Sequence, residues 1–296
     1  RTEYQDGFYF DYTGHLLHFQ NDIFKKAVFS SLENKLVKKE RSAWIYSKDV
    51  FTKYPFQANL FGLPEEVVIE CIYEYSQQHF TKNKIAILNF AQWIEVNFGR
   101  GIARHFMTPY NQKLYRSSLE ELSPESGGRF VPKSDLKMLL RGALCEGQGG
   151  LGYNATFFYP EKEGIELLVK KLSENIRINV GECVQKIDIS NHTVTTSDGK
   201  VYGYDFIISS MPLNLLVKSI EGQIDKIRDL AAKLKYVSVL NVNIGLSAKE
   251  GSMHWVYVPE ERYLFHRLGF IHNFSDAMAP AGCGSIYTEI SYRSDD

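Results

Sequence analysis

GFYFDYTGHLLHF, residues 7–19, decides how the rest of the chain is read. Alternating aromatics at Phe8 and Phe10 give the two-residue period of a strand, and the strand runs into a turn at Thr13-Gly14 with a histidine, His15, directly behind it. Outward from this turn the pattern becomes helical over 21–32, strand-like over 42–46, and turn-like over 54–57, where Tyr-Pro-Phe-Gln stands. Pro64-Glu65-Glu66 opens an amphipathic helix: proline suits a first turn, acids suit the positive end of the helix dipole, and Val67, Val68, Cys71, Ile72 and Tyr75 recur at helical spacing. Further helix is expected over 90–98, 101–107 and 134–144, so residues 21–150 read as a mainly helical domain.

After Asn154 the character changes. A helix is expected over 164–174, one or two strands over 176–189, and a hairpin over 192–201 around Asp198-Gly199, a strong turn dipeptide. Residues 206–210 form a continuous apolar run, the mark of a strand covered on both faces. β-Branched and aromatic runs over 236–246 and 253–292 predict an antiparallel or mixed sheet. The strand, Gly-x-Gly-x-x-Gly turn and helix that cradle a pyrophosphate do not occur, and Gly147, Gly149, Gly150 and Gly152 follow a helix instead of a strand, as a connection would.

Composition narrows the function classes. Lysine and arginine (34) nearly cancel aspartate and glutamate (35), which argues against a polyanion-binding surface. Nineteen Phe and 18 Tyr supply side chains for a core or for the flat walls of a ring-binding pocket. The cysteines, Cys71, Cys145, Cys183 and Cys283, share no zinc or redox spacing, and His15 and His18 lack a third ligand nearby, so no metal is expected. No apolar run approaches the roughly 18 residues of a membrane span, and the expectation is a cytoplasmic protein with no membrane or nucleic-acid partner.

Seven ordered segments resemble the UDP-galactopyranose mutases, within the wider FAD-dependent amine-oxidase and protoporphyrinogen-oxidase group. They are residues 7–19, YPFQANLFGLP at 54–64, IARHFMTPYNQKLY at 102–115, GYNATFFYP at 152–160, DFIISSMPL at 205–213, HWVYVPE at 254–260 and FHRLGFIHNFS at 265–275. The resemblance implies an α/β fold: a partial FAD-binding domain from 1–20 and 155–235, the helical domain over 21–150 as a substrate cap, and a substrate-domain sheet over 236–296. It implies reduced FAD as a nucleophile whose N5 attacks the anomeric carbon of a UDP-sugar, with the protein supplying orientation and charge. By the same resemblance Arg129 and Arg267 hold the diphosphate, for which guanidinium forks are suited, and His15 joins them as a catalytic residue. Gly14, His15 and Val184 are then cofactor contacts, and Tyr54, Phe56, Gln57, Phe106, Asn111, Asn154, Trp255 and Tyr257 line the uridine and sugar pockets.

The buried position expected for Arg267, in an apolar strand, also demands a partner, because an unpaired buried charge is costly. Three departures from the family pattern keep other readings open. Thr13 stands where the family has glycine, Tyr115 where it has tryptophan, and Glu163 where a glycine commonly opens a helix. An oxidoreductase of the amine-oxidase or protoporphyrinogen-oxidase type is therefore the second expectation. The resemblance also leads to the expectation that the Gly-rich FAD turn and a flavin-closing Gly-Arg tail lie outside this chain. On that basis the chain is expected to be an inactive, non-catalytic fragment that retains flavin weakly or not at all, while its parent protein is an enzyme.

Overall fold

The computed structural model describes residues 1–80, 86–127, 131–147, 150–152, 154–222 and 224–293. The opening aromatics form a hairpin of β1 (Thr2–Gln5) and β2 (Phe8–Asp11), paired antiparallel with Gln5 opposite Phe8. Helix α1 (Asp22–Ser31) follows, capped by Asn21, whose side chain accepts the Phe24 N–H. Then come β3 (Leu36–Glu40), β4 (Ala43–Ser47) and β5 (Val50–Lys53), so three strands interrupt the region expected to be mainly helical. Strand β4 falls on the strand-like run expected over 42–46, whereas β3 and β5 were hidden because a strand of four or five residues carries little period of its own and is fixed by its partners.

The helical part is built on α2 (Glu65–Phe80) and α3 (Phe90–Ile102). Val67, Cys71 and Tyr75 recur every fourth residue on α2 and are buried against Ile94, Phe98 and Ile102, which do the same on α3. Two glycines allow the close approach. A Cβ on Gly101 would stand 2.7 Å from Cys71 Cα, and Gly99, at φ +78°, meets the Glu74 backbone as closely. A π-helical turn over 103–107 then leads into α4 (Thr108–Tyr115), which ends at Arg116 in the left-handed conformation. Helix α5 (Leu136–Leu144) is capped by Asp135 and lies against the backbone of Ala58, where a Cβ on Gly142 would collide with the carbonyl oxygen at 1.8 Å.

Strand β6 (Thr156–Pro160) pairs antiparallel with β3, and α6 (Glu166–Ser173) follows. The next segment holds β7 (Val184–Asp188), β8 (Thr193–Thr196), β9 (Val201–Gly203), α7 (Leu213–Ser219), β10 (Ile220–Glu221) and α8 (Asp225–Ala231). Its sheet has the order β10-β7-β8-β9 and contains the expected hairpin. The strand expected over 206–210 does not form. Phe206 and Ile208 are 94% and 99% exposed, and a strand exists only where a neighbour takes up its backbone groups. Likewise only Val184–Asp188 of the run 176–189 is extended in a sheet.

The chain closes with β11 (Ser238–Leu246), β12 (Trp255–Tyr257), β13 (Arg267–Gly269) and β14 (Gly284–Tyr292). They join β4 and β5 in a six-stranded sheet ordered β11-β14-β13-β12-β4-β5, in which only β12 and β4 run parallel. Two compact units result: Arg1–Leu172 with Val237–Asp296, and Ser173–Tyr236. The expected cap helices and the terminal sheet thus belong to one unit. No helix among the described residues is long and apolar enough to cross a membrane.

Candidate active site

A period of two along β14 turns Tyr287, Glu289 and Ser291 to the buried face. Register sets Arg267 of β13 directly opposite Glu289, and Tyr257 of β12 opposite Arg267. The Glu289 carboxylate accepts from Arg267 Nε at 2.8 Å and Nη2 at 2.5 Å, and it lies 3.4 Å from His266 Nε2. It also accepts the backbone N–H of Gly14 at 3.3 Å, and so fastens the Thr13-Gly14-His15 turn to the arginine. Glu289 is the partner that Arg267 required, and nothing in the spacing of 22 residues between them announced it.

Burial works against a charged Glu289. The His266 hydrogen bond and the Arg267 guanidinium outweigh it, and the carboxyl pKa falls to about 2. Burial likewise opposes the charge on Arg267, but Tyr287 and Glu289 beside it hold its pKa above the ordinary value. Both groups are therefore ionised at neutral pH. Tyr287 packs so closely that a Cβ on Gly14 would stand 1.9 Å from its hydroxyl oxygen, which is why the turn needs glycine there.

Beside this pair lies a cavity of about 300 Å³. Arg267, Tyr54, Gln57, Phe106, Asn111, Asn154 and Tyr257 all line it, together with Tyr110 and Tyr115. Tyr54 and Tyr257 face each other with ring centroids 4.8 Å apart, and Tyr110 meets Tyr257 edge-on at 5.3 Å. The cis Tyr54–Pro55 bond and the short helical turn after it carry Gln57, and the π-helical turn carries Phe106 and Met107. Gln57 Nε2 donates to the Pro132 carbonyl at 2.6 Å, whereas its buried Oε1 has no protein partner. Asn111 Nδ2 donates to the Met107 carbonyl at 2.7 Å, and Asn154 Oδ1 accepts from Arg41, whose guanidinium lies over the Tyr54 ring.

Other expected site residues lie elsewhere. Phe56 is fully buried behind Phe106, stacked on it at 5.1 Å, and does not reach the cavity. Trp255 sits in a second core cluster with Phe157 and Phe274; it shares a face of β12 with Tyr257 but stands two residues further along the strand from the cavity. Val184 begins β7 in the unit 173–236. Arg129 lies outside the described residues, although Gly127 and Val131, on either side of 128–130, line the cavity. His15 is exposed, its Nδ1 3.2 Å from Thr13 Oγ1. No group of three metal-ligating side chains occurs among the described residues.

The cavity thus combines a half-buried guanidinium paired with a carboxylate, aromatic walls and hydrogen-bonding amides. The family of flavin-containing amine oxidoreductases matches residues 1–255, and the chain belongs to that family. Within it the chain is mutase-like: it resembles reduced UDP-galactopyranose mutase with 28% identity and a TM-score of 0.93, covering 99% of this chain and 66% of that one. The chain thus spans just under two thirds of that mutase's length. An Exiguobacterium protein assigned as a protoporphyrinogen oxidase (15% identity, TM-score 0.68, 98% of this chain and 68% of that one) shares the fold. So does putrescine oxidase, at 13% identity and TM-score 0.60, over 98% of this chain and 67% of that one.

Proposed function

We propose that this chain carries the substrate-binding part of a flavin-dependent mutase acting on a UDP-sugar. One observation carries the reading: Glu289 joins Arg267, which faces the cavity, to Gly14, which precedes His15. A sugar nucleotide held there has its diphosphate against Arg267, a role shared with Arg129. The ring face of the uracil rests on Tyr54 and Tyr257, and its imide N–H donates to the free Oε1 of Gln57. Asn111 and Asn154 bracket the ribose and sugar hydroxyls.

FAD, when bound in reduced form, supplies the nucleophile that none of these side chains offers. Gly14 and His15 would hold its ring edge. Arg267, kept charged and fixed in direction by Glu289, stabilises the negative charge that gathers on UDP as the glycosidic bond weakens. The structural kinship to the mutase and the cation placed beside the His15 turn favour this reading over an oxidase, which has no need of a diphosphate site.

The test is calorimetric titration of the full-length protein with UDP, with the flavin oxidised and reduced. Binding is expected in at least one state, and Arg267→Met should weaken it about 100-fold, the usual cost of truncating one member of a buried charge pair. No heat in either state rules out a UDP-sugar substrate. Anaerobic bleaching of the flavin by amines or porphyrinogens would replace it with the oxidase.

A further inference from the structure

Lys113 stands on α4, between Asn111 and Tyr115 of the cavity wall, yet its side chain points to the connection from β12 to β13. Its Nζ donates to three carbonyl oxygens of that connection: Val258 at 2.9 Å, Glu260 at 3.0 Å and Phe265 at 2.7 Å. An ammonium has three N–H donors, and all three are matched here. The acceptors are main-chain atoms without net charge, while the Glu260 carboxylate is engaged by the Lys48 N–H and by Arg262. The contact therefore orders backbone and is not an ordinary surface ion pair.

The outer part of the connection is also tied to the hairpin of β4 and β5, where Arg262 pairs with Asp49 and Tyr263 meets Tyr46 edge-on at 5.9 Å. Val258 N–H donates to the His266 carbonyl at its base, but Glu261 and Arg262 are exposed, and Leu264 is 81% exposed. Its two ends are Tyr257 and Arg267, the aromatic wall and the cation of the site.

We propose that Lys113 is a positioning residue, which ties the connection between Tyr257 and Arg267 to the helix bearing Tyr110 and Asn111 and so fixes the width of the cavity. Burial brings the lysine down to about 8, with Glu260 and Glu261 acting in the opposite direction, so the ammonium is held there at a cost in hydration. The effect on ligand affinity rests on the sugar-nucleotide reading above, whereas the clamp itself does not.

Lys113→Met keeps the apolar stem and removes all three donors, and hydrogen exchange and UDP titration read the result. Amides over 258–266 should exchange faster while those of α2 and α3 keep their protection. The UDP dissociation constant should rise about tenfold, as expected when a site is loosened by a fraction of an ångström. Lys113→Arg, with charge and several donors, should recover part of both effects. Unchanged protection over 258–266 overturns the clamp, and faster exchange with unaltered UDP affinity overturns the positioning role. If the unmodified protein binds no UDP, the substrate reading falls, and the clamp is judged by exchange alone. Should Lys113→Met fail to fold, Lys113→Gln takes its place under the same two readouts.

Discussion

The two compact units use similar residues to opposite effect. In the unit of 1–172 and 237–296, Ile45, Phe56, Ile94, Phe157 and Phe274 are fully enclosed, and even a carboxylate, Glu289, is 2% exposed. In 173–236 the apolar side chains Val180, Phe206 and Ile208 are 87–99% exposed, and buried ones are few. Hydrophobic composition supplies material for a core, but enclosure depends on paired strands and packed helices that bring several elements onto one another. Among the described residues the first unit achieves this, and there the Arg267–Glu289 ion pair is enclosed with its carboxylate almost fully buried.

The difference can be broken most severely at Glu289. Glu289→Ala leaves Arg267 charged, partly buried and unpaired, and should cost about 3–5 kcal/mol of unfolding free energy. Chemical denaturation that resolves the unit of 1–172 and 237–296 measures it; a loss below 1 kcal/mol would show that solvent already screens the pair.

A smaller effect appears with pH. Because the folded pKa of Glu289 is depressed below its unfolded value, its contribution is complete above the unfolded value and is lost as pH falls through the folded one. The stability difference between the unmodified protein and Glu289→Gln should shrink by on the order of 3 kcal/mol between about pH 5 and pH 2. Urea titrations across that range check the slope, and a difference independent of pH would assign the role of Glu289 to packing.

The smallest effect belongs to 173–236. Ile208→Ser should change stability by no more than about 0.5 kcal/mol, since an exposed side chain has almost no buried contact to lose. Thermal unfolding checks this; a cost near that of a core truncation would mean the residue is covered in solution.

Much of the helical part was legible. Pro64, the acids behind it and the fourfold spacing of Val67, Cys71 and Tyr75 fixed α2, because a helix is specified by contacts within a few residues. The hairpin at Asp198-Gly199 was legible for the same local reason. The short strands β3 and β5 were not, and 206–210 carried the strand pattern without becoming one. Strand identity depends on partners distant in sequence. Of the expected ligand wall, Tyr54, Gln57, Phe106, Asn111, Asn154, Tyr257 and Arg267 converge on one cavity, whereas Phe56 and Trp255 face cores. Both of the latter are large aromatics, for which burial and ligand contact call for the same residue.

By itself the sequence determined the mutase-like kinship, the helices, the aromatic supply and the need for a partner at Arg267. Tertiary structure alone decided what that partner is. Cross-strand register set Glu289 opposite Arg267 and within reach of Gly14, 275 residues away in the chain. A hydrogen bond over that separation leaves no periodic trace, because it depends on where two strands and a turn come to rest.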